Sequence, residues 1–132
     1  MKAIRNLILL VMLALGSGGC LKGPGEGGTS TIIGKVFAYD YNLEMDNLRA
    51  SYYAPDERVY LVYGEDSIFS DDTRTSYDGS YRFDYLRPGT YKVFAYSKNL
   101  QTRLPPDLAV IKTVQIMSDH QLILVEDIEI VK

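Results

Sequence analysis

This sequence predicts an all-β sandwich, on three observations. From about Thr29 onward, short runs rich in Val, Ile, Tyr, Phe and Thr are separated by Gly, Pro, Asp and Asn. No stretch repeats its apolar residues at the spacing of an amphipathic helix. Several runs instead alternate apolar with polar residues, the period of a strand that has one wet face and one buried face. Seven such runs in about 100 residues fit a single sandwich, and a chain of that length can bury a core without disulfides.

The first strand is expected over Thr31 to Asp40, a run of β-branched and aromatic residues. Tyr41 through Pro55 follow as a long loop containing Asn42, Asp46 and Asn47. Loops of this length are usually functional or disordered, and the tyrosines Tyr41, Tyr52 and Tyr53 make it the candidate binding segment. The second strand covers Arg58 to Tyr63, with Val59, Leu61 and Tyr63 on one face. The third, Thr73 to Tyr77, runs into Asp78-Gly79, a dipeptide whose glycine takes the positive φ of a tight turn. In the fourth, Ser80 to Tyr85, Tyr81 and Phe83 share a face while Arg82 and Asp84 point to water. Pro88-Gly89 turns the chain into the fifth, Thr90 to Ser97, where Tyr91, Val93 and Ala95 line up against an outward Lys92. Val110 to Met117 and Gln121 to Val131 complete the set.

These residues carry a resemblance. Gly34 and Val36, Val59 and Leu61, Thr75, Asp78 and Gly79, Tyr81 and Phe83, Leu86, Pro88 and Gly89, and Tyr91 resemble the recurring pattern of carboxypeptidase regulatory-like domains, also described as transthyretin-like or prealbumin-like modules. The resemblance covers nearly the whole domain and implies a seven-stranded Greek-key sandwich working outside the cytoplasm. The long segment 41–55 departs from the family, which usually has a short turn there.

Ahead of the domain, Lys2 and Arg5 precede an apolar run from Leu7 to Leu15 and a small-residue stretch, Gly16-Ser17-Gly18-Gly19. That is the layout of a secretory signal, because the run is shorter than the roughly 20 apolar residues of a spanning helix. Gly18, Gly19 and Cys20 resemble the end of the bacterial lipobox, with Ser17 where an aliphatic residue is usual. Relaxed forms of that position resemble lipoproteins of the Bacteroidetes. The resemblance implies a thioether-linked diacylglycerol on Cys20 and an acylated amine such as a palmitate amide, together enough acyl chain for stable anchoring. Expected boundaries are 1–19 for the signal peptide, 20–29 for a lipidated Gly-rich tether and 30–132 for the domain. A free coil of the tether's length spans about 15 to 20 Å. The expected location is a bacterial cell envelope, on the outer membrane.

Cleavage before Cys20 removes Lys2 and Arg5 and takes the formal charge from −3 to −5. An acidic surface disfavours nucleic acid and anionic headgroups as partners. Cys20 has no second cysteine to pair with in the chain.

The sequence offers little material for catalysis. His120 is the single histidine, beside Ser118 and Asp119, and a triad must converge from different elements rather than from neighbours in sequence. Catalytic zinc usually takes three protein ligands and structural zinc four, so no metal and no cofactor are expected. Asp71, Asp72 and Asp78 carry the oxygen ligands of a hard cation, but their spacing matches no calcium loop, and edge-strand solubility explains them more simply. The hydroxyisourate hydrolases and intradiol dioxygenases, which have similar architecture, need histidines this chain lacks. The expected function is therefore non-enzymatic, an interaction module within a larger envelope assembly. The alternative is a glycan- or small-ligand-binding lipoprotein that uses the tyrosines of 41–55 as stacking platforms.

Overall fold

The computed structural model describes residues 23–132; the expected signal segment 1–19 and the lipid site Cys20 lie outside the described residues. The described residues form an all-β sandwich of two sheets, built from nine strands where seven were expected. They are β1 (Glu26–Tyr41), β2 (Leu48–Tyr53), β3 (Arg58–Tyr63), β4 (Asp71–Arg74), β5 (Ser80–Leu86), β6 (Gly89–Ser97), β7 (Leu108–Ile116), β8 (Leu122–Leu124) and β9 (Ile128–Val131).

The first sheet is organised around β1. Its even-numbered residues turn their backbone groups to one flank, where β5 pairs with its first half and β2 with its second. Val36 shows the sharing, since its N–H donates to Gly79 and its carbonyl accepts from Ala54. On the other flank β8 and then β9 run parallel to β1. The second sheet has the order β4-β3-β6-β7. In it β3 and β6 are neighbours although β4 and β5 separate them in the chain, the non-sequential pairing expected of a Greek key.

Alternation sets the core as expected. Ile32, Val36 and Ala38 of β1, Tyr81 and Phe83 of β5, and Ile128 and Ile130 of β9 face Val59 and Leu61 of β3, Tyr91, Val93 and Ala95 of β6, and Val114 and Ile116 of β7. Each large aliphatic side chain buried this way contributes about 1.5–3 kcal/mol. Thr75 is buried between the sheets; its hydroxyl donates to the Ala54 carbonyl at 2.6 Å and accepts from the Glu57 N–H at 2.8 Å. That bond pair ties the chain leaving β4 to the link between β2 and β3.

Four expected elements differ. The third strand, expected over Thr73 to Tyr77, is Asp71–Arg74, because Thr75 turns inward to bind Ala54 and Glu57 and Ser76 to Gly79 close the turn into β5. The loop 41–55 is mostly a hairpin, because Leu48–Tyr53 pairs with the end of β1. Turn residues dominate its start and drew the whole segment into one loop reading. The last expected strand, Gln121 to Val131, is two strands interrupted at Val125, Glu126 and Asp127. The segment expected as a free tether, 20–29, is docked from Gly23 onward, and β1 already begins at Glu26. Donors from Arg87 hold it, and a Gly-rich composition cannot announce a partner more than 60 positions away.

Two positions yield predictions. Gly79 has φ +81°, and a Cβ there would come within 2.8 Å of the Tyr53 Cβ and 3.0 Å of the Val36 carbonyl. Gly79→Val therefore combines strain with a clash and should lower the melting temperature by at least about 5 °C; a shift under one degree in a circular-dichroism melt would remove this account of the turn. Tyr81 lies opposite Gly34, where any Cβ would run into its ring, and its hydroxyl is buried with no hydrogen-bond partner among the described residues. Burial pushes that phenol's pKa well up, with Asp127 adding to the effect. Tyr81→Phe should leave stability unchanged or raise it by about 1 kcal/mol in urea unfolding, where a loss above that size would reveal a partner for the hydroxyl.

Candidate functional site

The tyrosines expected to act together are separated by the hairpin that holds them. Asn42 opens the connection, its carbonyl oxygen accepting from the N–H groups of Asp46 and Asn47 at 3.1 Å and its amide donating to Asp46 at 2.7 Å. This closed turn delivers Leu48–Tyr53 to β1 with Tyr52 opposite Ala38 and Tyr53 opposite Phe37. Side chains alternate along a strand, so the two rings emerge on opposite faces. Tyr52 packs against the core and reaches Asp40 at 3.3 Å. Tyr53 lies outside, donates to Asp127 at 2.8 Å, meets the edge of Phe37 at 5.1 Å and carries the Lys35 ammonium 4.8 Å over its ring. Its bond to the Asp127 carboxylate, with that group's charge, raises its pKa. Tyr41 ends β1 beyond a bulge, its N–H bound to the Lys132 carbonyl. Tyr41, Tyr52 and Tyr53 thus form no common platform.

An aromatic surface does exist, on the other sheet. Tyr60 of β3 and Phe94 of β6 are register partners whose rings stack at 4.9 Å and 15°. Tyr96 stands edge-on to both, at 5.6 and 5.5 Å, and Phe69 comes from the β3–β4 connection to meet Tyr60 edge-on at 4.8 Å. Ile111 of β7 lies across from Phe94. Phe69, Tyr96 and Ile111 are each about half exposed, at 45%, 49% and 53%. The signal was in the sequence: once Val59, Leu61, Tyr91, Val93 and Ala95 face inward, Tyr60, Phe94 and Tyr96 must face outward. A strand that is apolar on both faces covers more than one core.

At one end of the sandwich the β1–β2 and β6–β7 connections meet. They enclose a cleft of about 200 Å³ lined by Met45, Lys98, Asn99, Arg103, Leu104, Pro105 and Asp107. The opposite end carries the Arg87-Pro88 turn and the residues Ser118 to His120. His120 is exposed, its backbone N–H bound to the Thr29 hydroxyl at 3.0 Å, and Ser118 offers its carbonyl to Ser30 at 3.1 Å. The segment is a wet turn that closes onto the start of β1. Asp71 and Asp72 lie on β4 and Asp78 binds Ser80 within its own turn; among the described residues no three His, Cys, Asp or Glu side chains gather to hold a metal.

No protein-family model matches the chain. No curated protein matches it either. Among solved structures, a candidate carbohydrate-binding protein from Pseudomonas aeruginosa is similar, at TM-score 0.45 and 15% identity over 77% of this chain and 90% of that one. A likeness so distant carries no argument about what this chain binds.

The opposed faces of Tyr52 and Tyr53 separate their mutational effects. Tyr52→Ala should cost about 2 kcal/mol, roughly half the penalty of truncating a fully buried ring, while Tyr53→Ala should cost about 1 kcal/mol. Equal losses in paired urea titrations would contradict the assignment of the two rings to different faces.

Proposed function

We propose that this chain is a lipid-anchored protein of a bacterial cell envelope that acts without catalysis, by binding another envelope protein through the ring cluster of Tyr60, Phe69, Phe94 and Tyr96. The anchor rests on Cys20 and the small residues before it. The carrying observation for the contact is that cluster, on the outer face of a sheet whose inner face is already filled. Its geometry favours a protein over a sugar. Tyr60 and Phe94 stack on each other, and Phe69 and Tyr96 stand edge-on to the pair beside the aliphatic Ile111, an uneven apolar surface that suits apolar side chains better than the flat face of a pyranose. Glycan binding at 41–55 is the second reading and has less behind it, since Tyr52 turns to the core and Tyr53 already carries Lys35.

The test is an affinity pull-down of the lipidated protein from detergent-solubilised native membranes, with Cys20→Ala as the anchor control and Phe69→Ala combined with Tyr96→Ala as the contact control. A stoichiometric protein partner should be recovered with the parent chain and lost with the double variant, whose stability should move by no more than about 1 kcal/mol because both rings are half exposed. Equal recovery with the double variant, or a glycan bound in its place, would remove the protein-contact reading. A cleaved Cys20→Ala form that stayed on the membrane would remove the anchor.

A further inference from the structure

Arg87 stands in the turn between β5 and β6 and gathers the residues that precede β1. Its Nε donates to the Gly23 carbonyl at 2.8 Å, its guanidinium nitrogens reach the carbonyls of Glu26 and, at 3.4 Å, Pro24, and its backbone N–H donates to Gly25 at 2.8 Å. From beneath, the Tyr91 hydroxyl accepts the Gly25 N–H at 2.8 Å and donates to the Arg87 carbonyl at 2.6 Å. Pro24 seats on Gly89, where a Cβ would come within 2.7 Å of the proline ring. One arginine fork, one buried phenol and one glycine thus hold Gly23 to Glu26 as a strap across the end of the sandwich. Swinging it away would break the Gly25 N–H bond to Tyr91 and the bonds from Arg87 to the strap carbonyls together, leaving the Tyr91 hydroxyl only its bond to the Arg87 carbonyl.

We infer that this strapped end, with Arg87-Pro88 and Met117 to His120, rests against the lipid surface, and that the end holding the Met45–Arg103 cleft points away from it. The inference rests on the lipid anchor at Cys20 proposed above and adds to it an orientation. Three residue steps, through Leu21 and Lys22, separate Cys20 from Gly23, a reach of at most about 11 Å even when fully extended. The nine residues of β6 run from the strap to the opposite end, about 30 Å away. A tether fixed to one end and shorter than the domain cannot present both ends to the bilayer equally. The strapped end is also dressed for an interface: Tyr85, Met117 and Leu122 are 71%, 70% and 59% exposed around it, and a tyrosine suits the boundary between acyl chain and water. Glu65, Asp66 and Asp119 lie at the same end and disfavour anionic headgroups. The matching surface is therefore zwitterionic lipid.

The lipidated full-length protein, reconstituted in phosphatidylcholine vesicles that carry nitroxide on a fraction of their headgroups, tests this. Fluorophores are placed on Asp119→Cys at the strapped end or Glu44→Cys at the far end; Cys20 does not compete for the label once it is alkylated. The Asp119→Cys reporter should be quenched severalfold more than the Glu44→Cys reporter. Arg87→Ala, which releases the strap, should bring the two towards parity; Arg87→Lys, which keeps the charge but loses the fork, should do so in part. Thermal melts confirm that both variants remain folded, and deuterium exchange at the Gly25 amide reads the strap directly, protected in the parent and fast in Arg87→Ala. Equal quenching in a protein that floats with the vesicles and carries lipid on Cys20 would overturn the orientation and leave the anchor standing. Failure to float, with Cys20 unmodified by mass spectrometry, would overturn both.

Discussion

The backbone of β1 must find partners on two flanks at once, and the rest of the architecture follows from how it does so. Its sixteen residues are longer than any strand beside it, so each flank is filled by two shorter strands end to end. Side-chain parity is then fixed for the whole sheet. Ile32, Val36 and Ala38 enter the core while Ile33, Lys35, Phe37 and Tyr39 leave it, and a slip of one residue would exchange the two sets. Close approaches guard against that slip. Gly34 leaves room for the Tyr81 ring, and Gly79 fits the crowded junction where β5 gives way to β2. Glycines at these two places specify register as well as turn geometry.

The second sheet distributes its aromatic residues differently. On β6, Tyr91 is fully buried and its hydroxyl does structural work, while Phe94 and Tyr96, three and five residues on, are spent on the outer face. Edge-to-face and stacked contacts hold the outer rings to one another, which limits the rotamer freedom lost when a partner covers them. The first sheet treats its outer tyrosines in the opposite way. Tyr39 and Tyr53 donate to Glu129 and Asp127 across strands, so their hydroxyls are already committed. Two faces with similar composition therefore differ in what they leave available.

Much of the fold was legible in the sequence because the information was local. Tyr81-Arg82-Phe83 and Tyr91-Lys92-Val93 alternate cleanly, and Asp78-Gly79 names its own turn. What was not legible depended on partners distant in the chain. Leu48 to Ser51 alternate over only four residues that all stay exposed, behind a run of turn residues, and become a strand because the end of β1 has an unpaired flank. Gly23 to Gly28 read as coil by composition, and Arg87 and Tyr91 make them an ordered strap. The candidate site fared worse than the fold. Neighbouring tyrosines suggested a shared surface, yet adjacency in a strand separates side chains, and the aromatic cluster that formed draws on β3, β6 and the β3–β4 connection.

The parallel pairing of β9 with β1 sets the order in which the molecule can be completed. Val36 and Ile128, Ala38 and Ile130 meet across more than 90 positions of chain, and until residues 128–131 have docked the second half of the central strand has one flank bare. Contacts that close so large a loop form slowly, so this stretch of β1 keeps an open edge until late in folding. The strand pairing that finishes the sheet is thus also the one whose loss would leave an edge open to other chains.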